Sequence, residues 1–188
     1  VILELNLLAD VGLLGYTNAG KSTLIRAVSS AKPKVADYPF TTLNPNLGVV
    51  RLSFDKSFVI ADVPGIIEGA SQGIGLGIAF LKHLSRTSLL LHLVDLGQDF
   101  SVKESANEIK KLEFELEKFS NELSEKERWM IFNKTDLISD WEKKSQLILD
   151  ELEWKGQTYQ VSAATGDGLD ALIKDVMIRL QEMEEERA

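Results

Sequence analysis

A chain of 188 residues is long enough to bury most of the surface it would expose unfolded, and fits one sizeable domain. With 44% hydrophobic and 27% charged residues it has an ordinary globular composition, and its longest apolar strand segment, residues 89–94, falls far short of the roughly 18 to 20 residues of a membrane span. The absence of cysteine excludes disulfides and thiolate metal sites and suits a reducing cytoplasm, while a net charge of −8 makes the domain alone a poor non-specific nucleic-acid binder.

Residues 1–8 are an apolar lead-in expected to continue from a segment further upstream, with the domain itself spanning 9–188. Val11 to Leu14 reads as a buried strand and Ser22 to Val28 as a helix. Between them, Gly15-Tyr16-Thr17-Asn18-Ala19-Gly20-Lys21-Ser22 fits the pattern G-x-x-x-x-G-K-[ST], with Thr23 following. Gly15 and Gly20 allow a tight turn that points successive N–H groups at a polyphosphate. Lys21 would reach the terminal phosphates, and the Ser22 hydroxyl would take a place on Mg²⁺. The helix N-terminus adds its partial positive charge at the same point. A strand, such a loop and a helix in this order bind a nucleoside triphosphate.

Residues 31–46 read as a long polar loop. Strands are expected at 48–54 and 57–63 around a two-residue turn, Asp55-Lys56. Gly65, Gly69, Gly73, Gly75 and Gly77 crowd the next segment. So much backbone freedom makes ordering entropically costly, which suits a segment that orders only with ligand. Further strands are expected at 89–95, 129–133 and 158–162. Ile109, Leu112, Leu116 and Phe119 recur at helical spacing, as do Leu169, Leu172, Ile173, Val176, Met177 and Leu180, and both stripes read as core-facing. Glu182 to Glu186 reads as a helix end fraying into a solvated tail.

The base is read from Asn133-Lys134-Thr135-Asp136, directly after the strand at 129–133. A carboxylate at 136 accepts from guanine N1–H and the exocyclic amine, whereas adenine would set acceptor against acceptor. Asn133 can bond the purine edge or brace the loops, and the Lys134 stem can lie along base and ribose. Ser162-Ala163-Ala164, after the last strand, offers the Ala163 N–H to guanine O6. GTP rather than ATP is expected.

Mg²⁺ needs hard oxygen ligands. Ser22 is one. Phe40-Thr41-Thr42 lies in the long loop, and Thr42 would reach the metal when a γ-phosphate closes that loop. Asp62-Val63-Pro64-Gly65 is a D-x-x-G sequence, with Asp62 holding the metal through water and the Gly65 N–H sensing the γ-phosphate. Loss of that phosphate would release both loops, as a molecular switch requires.

In this order these elements resemble the Ras-like P-loop GTPase domain. That resemblance implies an α/β fold with a mostly parallel six-stranded sheet, one antiparallel strand, and helices on both faces. The longer strings narrow it. Residues 9–15 (A-D-V-G-L-L-G), 36–50 (A-D-Y-P-F-T-T-L-N-P-N-L-G-V-V) and 62–70 (D-V-P-G-I-I-E-G-A) look like the Obg (CgtA) family of bacterial GTPases, as does Gly75-Leu76-Gly77 followed by Phe80-Leu81-Lys82-His83-Leu84. The wording of the phosphate loop is also reminiscent of the related HflX proteins. The family implies a glycine-rich Obg domain upstream and a role in large ribosomal subunit assembly; a cytoplasmic monomer is expected. It also implies links to the stringent response through guanine nucleotides, including ppGpp.

Two positions depart from the Ras pattern. Ile66 stands where many such enzymes carry a water-orienting glutamine, so intrinsic hydrolysis should be slow. Asn18 matches the asparagine with which related GTPases hold K⁺ against the developing phosphate charge; the other reading is a side chain that braces its loop. His83, His92, Arg26 and Arg86 are assigned structural or surface roles, and no protein general base is assigned. The main reading is thus a slow GTP hydrolase acting as a ribosome-linked switch, with catalytic candidates Lys21, Thr42, Gly65 and Asn18. The alternatives are a GTP, GDP or ppGpp sensor in which hydrolysis is incidental, and an ATP-using phosphotransferase, which Asp136 disfavours.

Overall fold

Alternation along the central strands decides the architecture, because side chains one residue apart point to opposite faces of a sheet. Val11 and Leu13, Leu89, Leu91 and Leu93, and Trp129 and Ile131 all join one apolar cluster. Their neighbours Leu14 and Leu90 belong to a second cluster, and Val94, Met130 and Phe132 to a third. A sheet apolar on both faces must be covered on both faces, which is the condition for parallel strands joined by helices.

The structure, a computed structural model, describes residues 9–16, 18–35, 45–62, 82 and 84–188. Its strands are β1 (Val11–Leu14), β2 (Lys34–Val35), β3 (Asn46–Ser53), β4 (Lys56–Asp62), β5 (Leu89–Asp95), β6 (Arg128–Asn133) and β7 (Thr158–Gln160). They form one sheet in the order β2-β3-β4-β1-β5-β6-β7. β3 is antiparallel to both its neighbours, and the remaining pairs are parallel. Helices α1 (Lys21–Val28) and α5 (Leu169–Arg187) contribute Leu24, Ile25, Leu172 and Val176 to the first cluster. On the other face, α2 (Val102–Phe119), α3 (Asn121–Glu125) and α4 (Trp141–Leu152) supply Leu112, Leu116, Leu123, Ile109 and Ile148. A capping box fixes the start of α2: Ser101 Oγ accepts from Glu104 N–H, and the Glu104 carboxylate accepts from Ser101 N–H.

Several expectations shift. The sheet has seven strands, not six, because the loop expected at 31–46 contains the two-residue β2, paired with Asn46 and Leu47. The hairpin turn falls at Phe54-Asp55, one residue earlier than expected, since Ser53 pairs with Lys56 beyond a register shift in β3. The Ser53 hydroxyl donates to Asp55 Oδ1 at 2.9 Å, which favours that turn and leaves Phe54 exposed. β7 ends at Gln160, short of Ser162, because the chain there bends into the turn that leads to the last helix. The acidic end does not fray at Glu182. It continues α5 to Arg187, with Arg179 paired to Glu182 and Glu186 on one side and to Glu127 on the other.

His92, mid-strand among leucines and so expected to be a hydrogen-bonded interior or sheet-face residue, is interior at 1% exposure, but its Nδ1 has no hydrogen-bond partner among the described residues. Burial, with the positive charges of Arg128 and Lys21, lowers its pKa from 6.5 to about 3. The unfolded chain therefore takes up a proton below pH 6.5 that the native imidazole refuses. Stability from this residue is intact above that pH and falls as the solution is acidified towards pH 3, by about 1.4 kcal/mol per pH unit. Denaturant unfolding of the protein and of His92→Leu, compared at neutral pH and near pH 5, should show the variant losing less stability on acidification. Parallel losses would show that His92 protonates in the native state.

Candidate active site

All strands but β3 run in one direction and end at the same edge of the sheet, and the sequence segments that follow β1, β2, β4, β6 and β7 carry expected site residues, Asp62 itself closing β4. Open α/β sheets bind ligands at that carboxyl edge. The loop from β1 to α1 turns tightly: Asn18 (φ 73°) and Gly20 (φ 99°) are left-handed, and Ala19 N–H donates to Tyr16 O at 3.1 Å. Gly15 is packed so closely that an added Cβ would lie 2.9 Å from the Leu93 carbonyl oxygen. Lys21 and Ser22 open α1, followed by the half-buried Thr23.

Lys21 is buried at 7% exposure, and its Nζ donates to Gly15 O at 2.9 Å. Burial lowers its pKa, while the neighbouring Asp62 carboxylate opposes that shift. Its ammonium lies 3.8 Å from Asp62 Oδ1. Asp62 closes β4, and its Oδ2 accepts from Ser22 Oγ at 3.1 Å; its buried Oδ1 has no hydrogen-bond partner among the described residues. A hydroxyl and a carboxylate in contact, with one carboxylate oxygen buried and unsatisfied, are a donor set that fits a hard divalent cation such as Mg²⁺.

The loops after β6 and β7 meet the phosphate loop through Asn133, which is 1% exposed. Asn133 Nδ2 donates to Ala19 O at 2.9 Å, and Asn133 Oδ1 accepts from Ala163 N–H at 3.0 Å. Of the two roles open to Asn133, the bracing one is thus filled. The Ala163 N–H expected to face guanine O6 is instead engaged by Asn133, because the β6 and β7 ends lie side by side and the nearest acceptor is an amide oxygen. Thr135 and Asp136 sit in a single 3₁₀ turn, Thr135–Leu137, after a left-handed Lys134 (φ 69°). Asp136 is exposed, with Oδ1 accepting from Ser162 Oγ at 2.7 Å. Ser162, fully buried, also accepts from Thr165 N–H at 3.1 Å, so its hydroxyl orientation is set. Ala164 is exposed beside it.

The structure therefore brings together Gly15, Tyr16, Asn18, Ala19, Gly20, Lys21, Ser22, Thr23 and Asp62 at one end and Asn133, Lys134, Thr135, Asp136, Ser162, Ala163 and Ala164 at the other. Thr17, Phe40, Thr41, Thr42, Val63, Pro64 and Gly65, with Ile66, His83 and the glycines from 69 to 77, lie outside the described residues. Asp95, to which no role falls from the sequence, joins the site through Lys134, whose Nζ donates to Asp95 Oδ2 and to Asn18 O, both at 2.7 Å. Its one sequence signal is its place: a carboxylate at the end of a central strand, beside the one carrying Asn133.

This fold and this juxtaposition of phosphate loop and base loop define a P-loop GTPase domain. The chain belongs to the 50S ribosome-binding GTPase family, whose sequence model matches residues 10–134. It hydrolyses GTP, and GTPases of this kind generally work with Mg²⁺. In fold it is similar to nucleolar GTP-binding protein 1 from Plasmodium falciparum, at 22% identity and a TM-score of 0.66 over 94% of this chain and 88% of that one. It is also similar to the G domain of the FeoB iron transporter from T. maritima, at 22% identity and 0.62 over 91% and 97%. A third likeness is to Aquifex aeolicus Era bound to GDP·AlF₄⁻, at 23% identity and 0.63 over 90% of this chain and 56% of that one. At such identities the structural likeness speaks for the fold alone.

Gly20 is where the site tolerates least. A Cβ there would lie 2.2 Å from Asn133 Nδ2, on a backbone that L-residues rarely adopt. Gly20→Ala should lower unfolding stability by about 2 to 4 kcal/mol, from left-handed strain and loss of the Asn133 brace. It should also weaken GTP binding, both effects being read by denaturant unfolding and calorimetry. Wild-type affinity in that variant would mean the brace is dispensable.

Proposed function

We propose that this chain is the nucleotide-binding domain of an Obg-type GTPase, a slow switch that contacts the large ribosomal subunit during its assembly. Residues 9–188 form the domain, and 1–8 lead in from an upstream Obg domain. The protein acts as a cytoplasmic monomer and responds to GTP, GDP and ppGpp. The observation carrying the base assignment is the Asp136 carboxylate, pinned by Ser162 on a loop that Asn133 ties to the phosphate loop. A fixed carboxylate at the mouth of the site selects guanine by hydrogen-bond polarity.

In this reading residues 15–23 cradle the phosphates, and Lys21 turns from the Gly15 carbonyl to the β- and γ-phosphates. Ser22, Asp62 through water, and Thr42 hold Mg²⁺, which when bound supplies charge stabilisation to the transferred phosphoryl group. Phe40, Thr41, Val63, Pro64 and the Gly65 N–H complete the two switches. Asn18, exposed and with no side-chain hydrogen bond among the described residues, presents its amide to a K⁺ ion rather than bracing the loop. His92 is buried within the sheet and takes no part in this reading, which assigns no protein general base to water attack.

Asp136→Asn should lower GTP affinity by about 100-fold, from two lost charge-assisted hydrogen bonds, and gain xanthosine nucleotides. Competition calorimetry checks it, and an unchanged guanosine preference would remove the base assignment. GTP turnover should be several-fold faster in KCl than in NaCl, and faster again with large ribosomal subunits. Equal rates in the two salts would remove the Asn18 role, and no ribosomal stimulation would leave a sensor in place of a switch.

A further inference from the structure

We infer that Asp95 is a positioning residue for guanine-nucleotide binding, acting by holding Lys134 as a strut between the base loop and the phosphate loop. The inference rests on the proposed course of the Lys134 stem along the base and ribose. Asp95 ends β5 directly opposite Asn133 in the β5–β6 register. Its side chain is only 7% exposed and is held at both oxygens: Oδ1 accepts from Gly97 N–H at 2.8 Å and Oδ2 from Lys134 Nζ at 2.7 Å. Lys134 Nζ also donates to Asn18 O, again at 2.7 Å, so one ammonium joins β5, the base loop and the phosphate loop.

Geometry makes this more than a surface ion pair. Exposed pairs contribute little because two long side chains must be ordered in water. Here the carboxylate is short, largely buried and already oriented by the Gly97 amide, so only the lysine has freedom to lose. Gly97 is fitted to the arrangement: a Cβ there would lie 2.6 Å from Leu137 Cδ1 and 3.2 Å from Asp95 Oδ1. Leu137 belongs to the 3₁₀ turn that carries Asp136. Without the Asp95 charge, Lys134 keeps one carbonyl acceptor and four rotatable bonds, and its stem ceases to be a fixed wall. The nucleotide should then leave faster, since loss of preorganisation appears mainly in the release rate.

Stopped-flow release of a fluorescent GDP from the 188-residue chain tests this with Asp95→Asn, Lys134→Ala and the double variant. Asn is isosteric and keeps an oxygen for Gly97 N–H, and Asp95→Glu, which keeps the charge at a displaced position, serves as the second variant. Asp95→Asn should speed release about tenfold, the effect of a lost charge-assisted hydrogen bond, and Asp95→Glu should lie between it and wild type. In the Lys134→Ala background Asp95→Asn should change release by less than about twofold, the non-additivity of residues acting through one contact. Wild-type release in Asp95→Asn, or the same acceleration in both backgrounds, would overturn the inference while leaving the nucleotide site standing. Failure of the wild-type chain to bind GDP would overturn both.

Discussion

One buried amide holds the site together. Asn133 reaches from the end of β6 to Ala19 in the phosphate loop with its nitrogen and to Ala163 in the β7 loop with its oxygen. Three segments distant in sequence thereby become one rigid rim, and both of the amide's polar ends are satisfied where water is excluded. The approach is so close that only a glycine fits at position 20. The phosphate loop and the loop carrying the Asp136 carboxylate hang from the same brace, so the distance between them is set by the sheet.

The phosphate end of the site sets a buried lysine beside a buried carboxylate. Lys21 is buried beside a carboxylate one oxygen of which has no hydrogen-bond partner among the described residues, and burial works against the lysine's charge. A triphosphate with a divalent cation would add negative oxygens near the lysine, beside its bond to Gly15 O and its pairing with Asp62, and a positive centre near the Asp62 carboxylate. This local arrangement lets a chain of net charge −8 accept a polyanion: backbone N–H groups, a helix N-terminus and one lysine outweigh a distant, screened surface charge.

Much of this was legible in the residues. β1 and β5 appear at their expected bounds because their apolar runs are buried on both faces and end at glycine or a polar residue. The phosphate loop was legible because its function demands particular residue types in particular places. The hairpin turn was misplaced by one residue because Phe54, an aromatic that propensity assigns to a strand, sits exposed at the turn. β2 was hidden because two residues show no alternation; they pair only because β3 offers an edge. The acidic end of α5 looked like a fraying tail because Arg179, which ties it down, does so together with Glu127 from across the fold.

The sequence by itself determined the class of chemistry, a GTPase with a phosphate loop, and supplied the candidates: a carboxylate at 136 proposed for the base and a hydroxyl–carboxylate pair, Ser22 and Asp62, proposed for a cation. Those depend on residue type and local spacing, which survive without coordinates. Tertiary structure alone decided who holds whom. Asn133 braces rather than waiting for the purine edge, Ala163 N–H is engaged, and Asp95 enters the site. Each of these follows from strands remote in sequence ending side by side, and the pairing of such ends is a property of the closed sheet that no local pattern encodes.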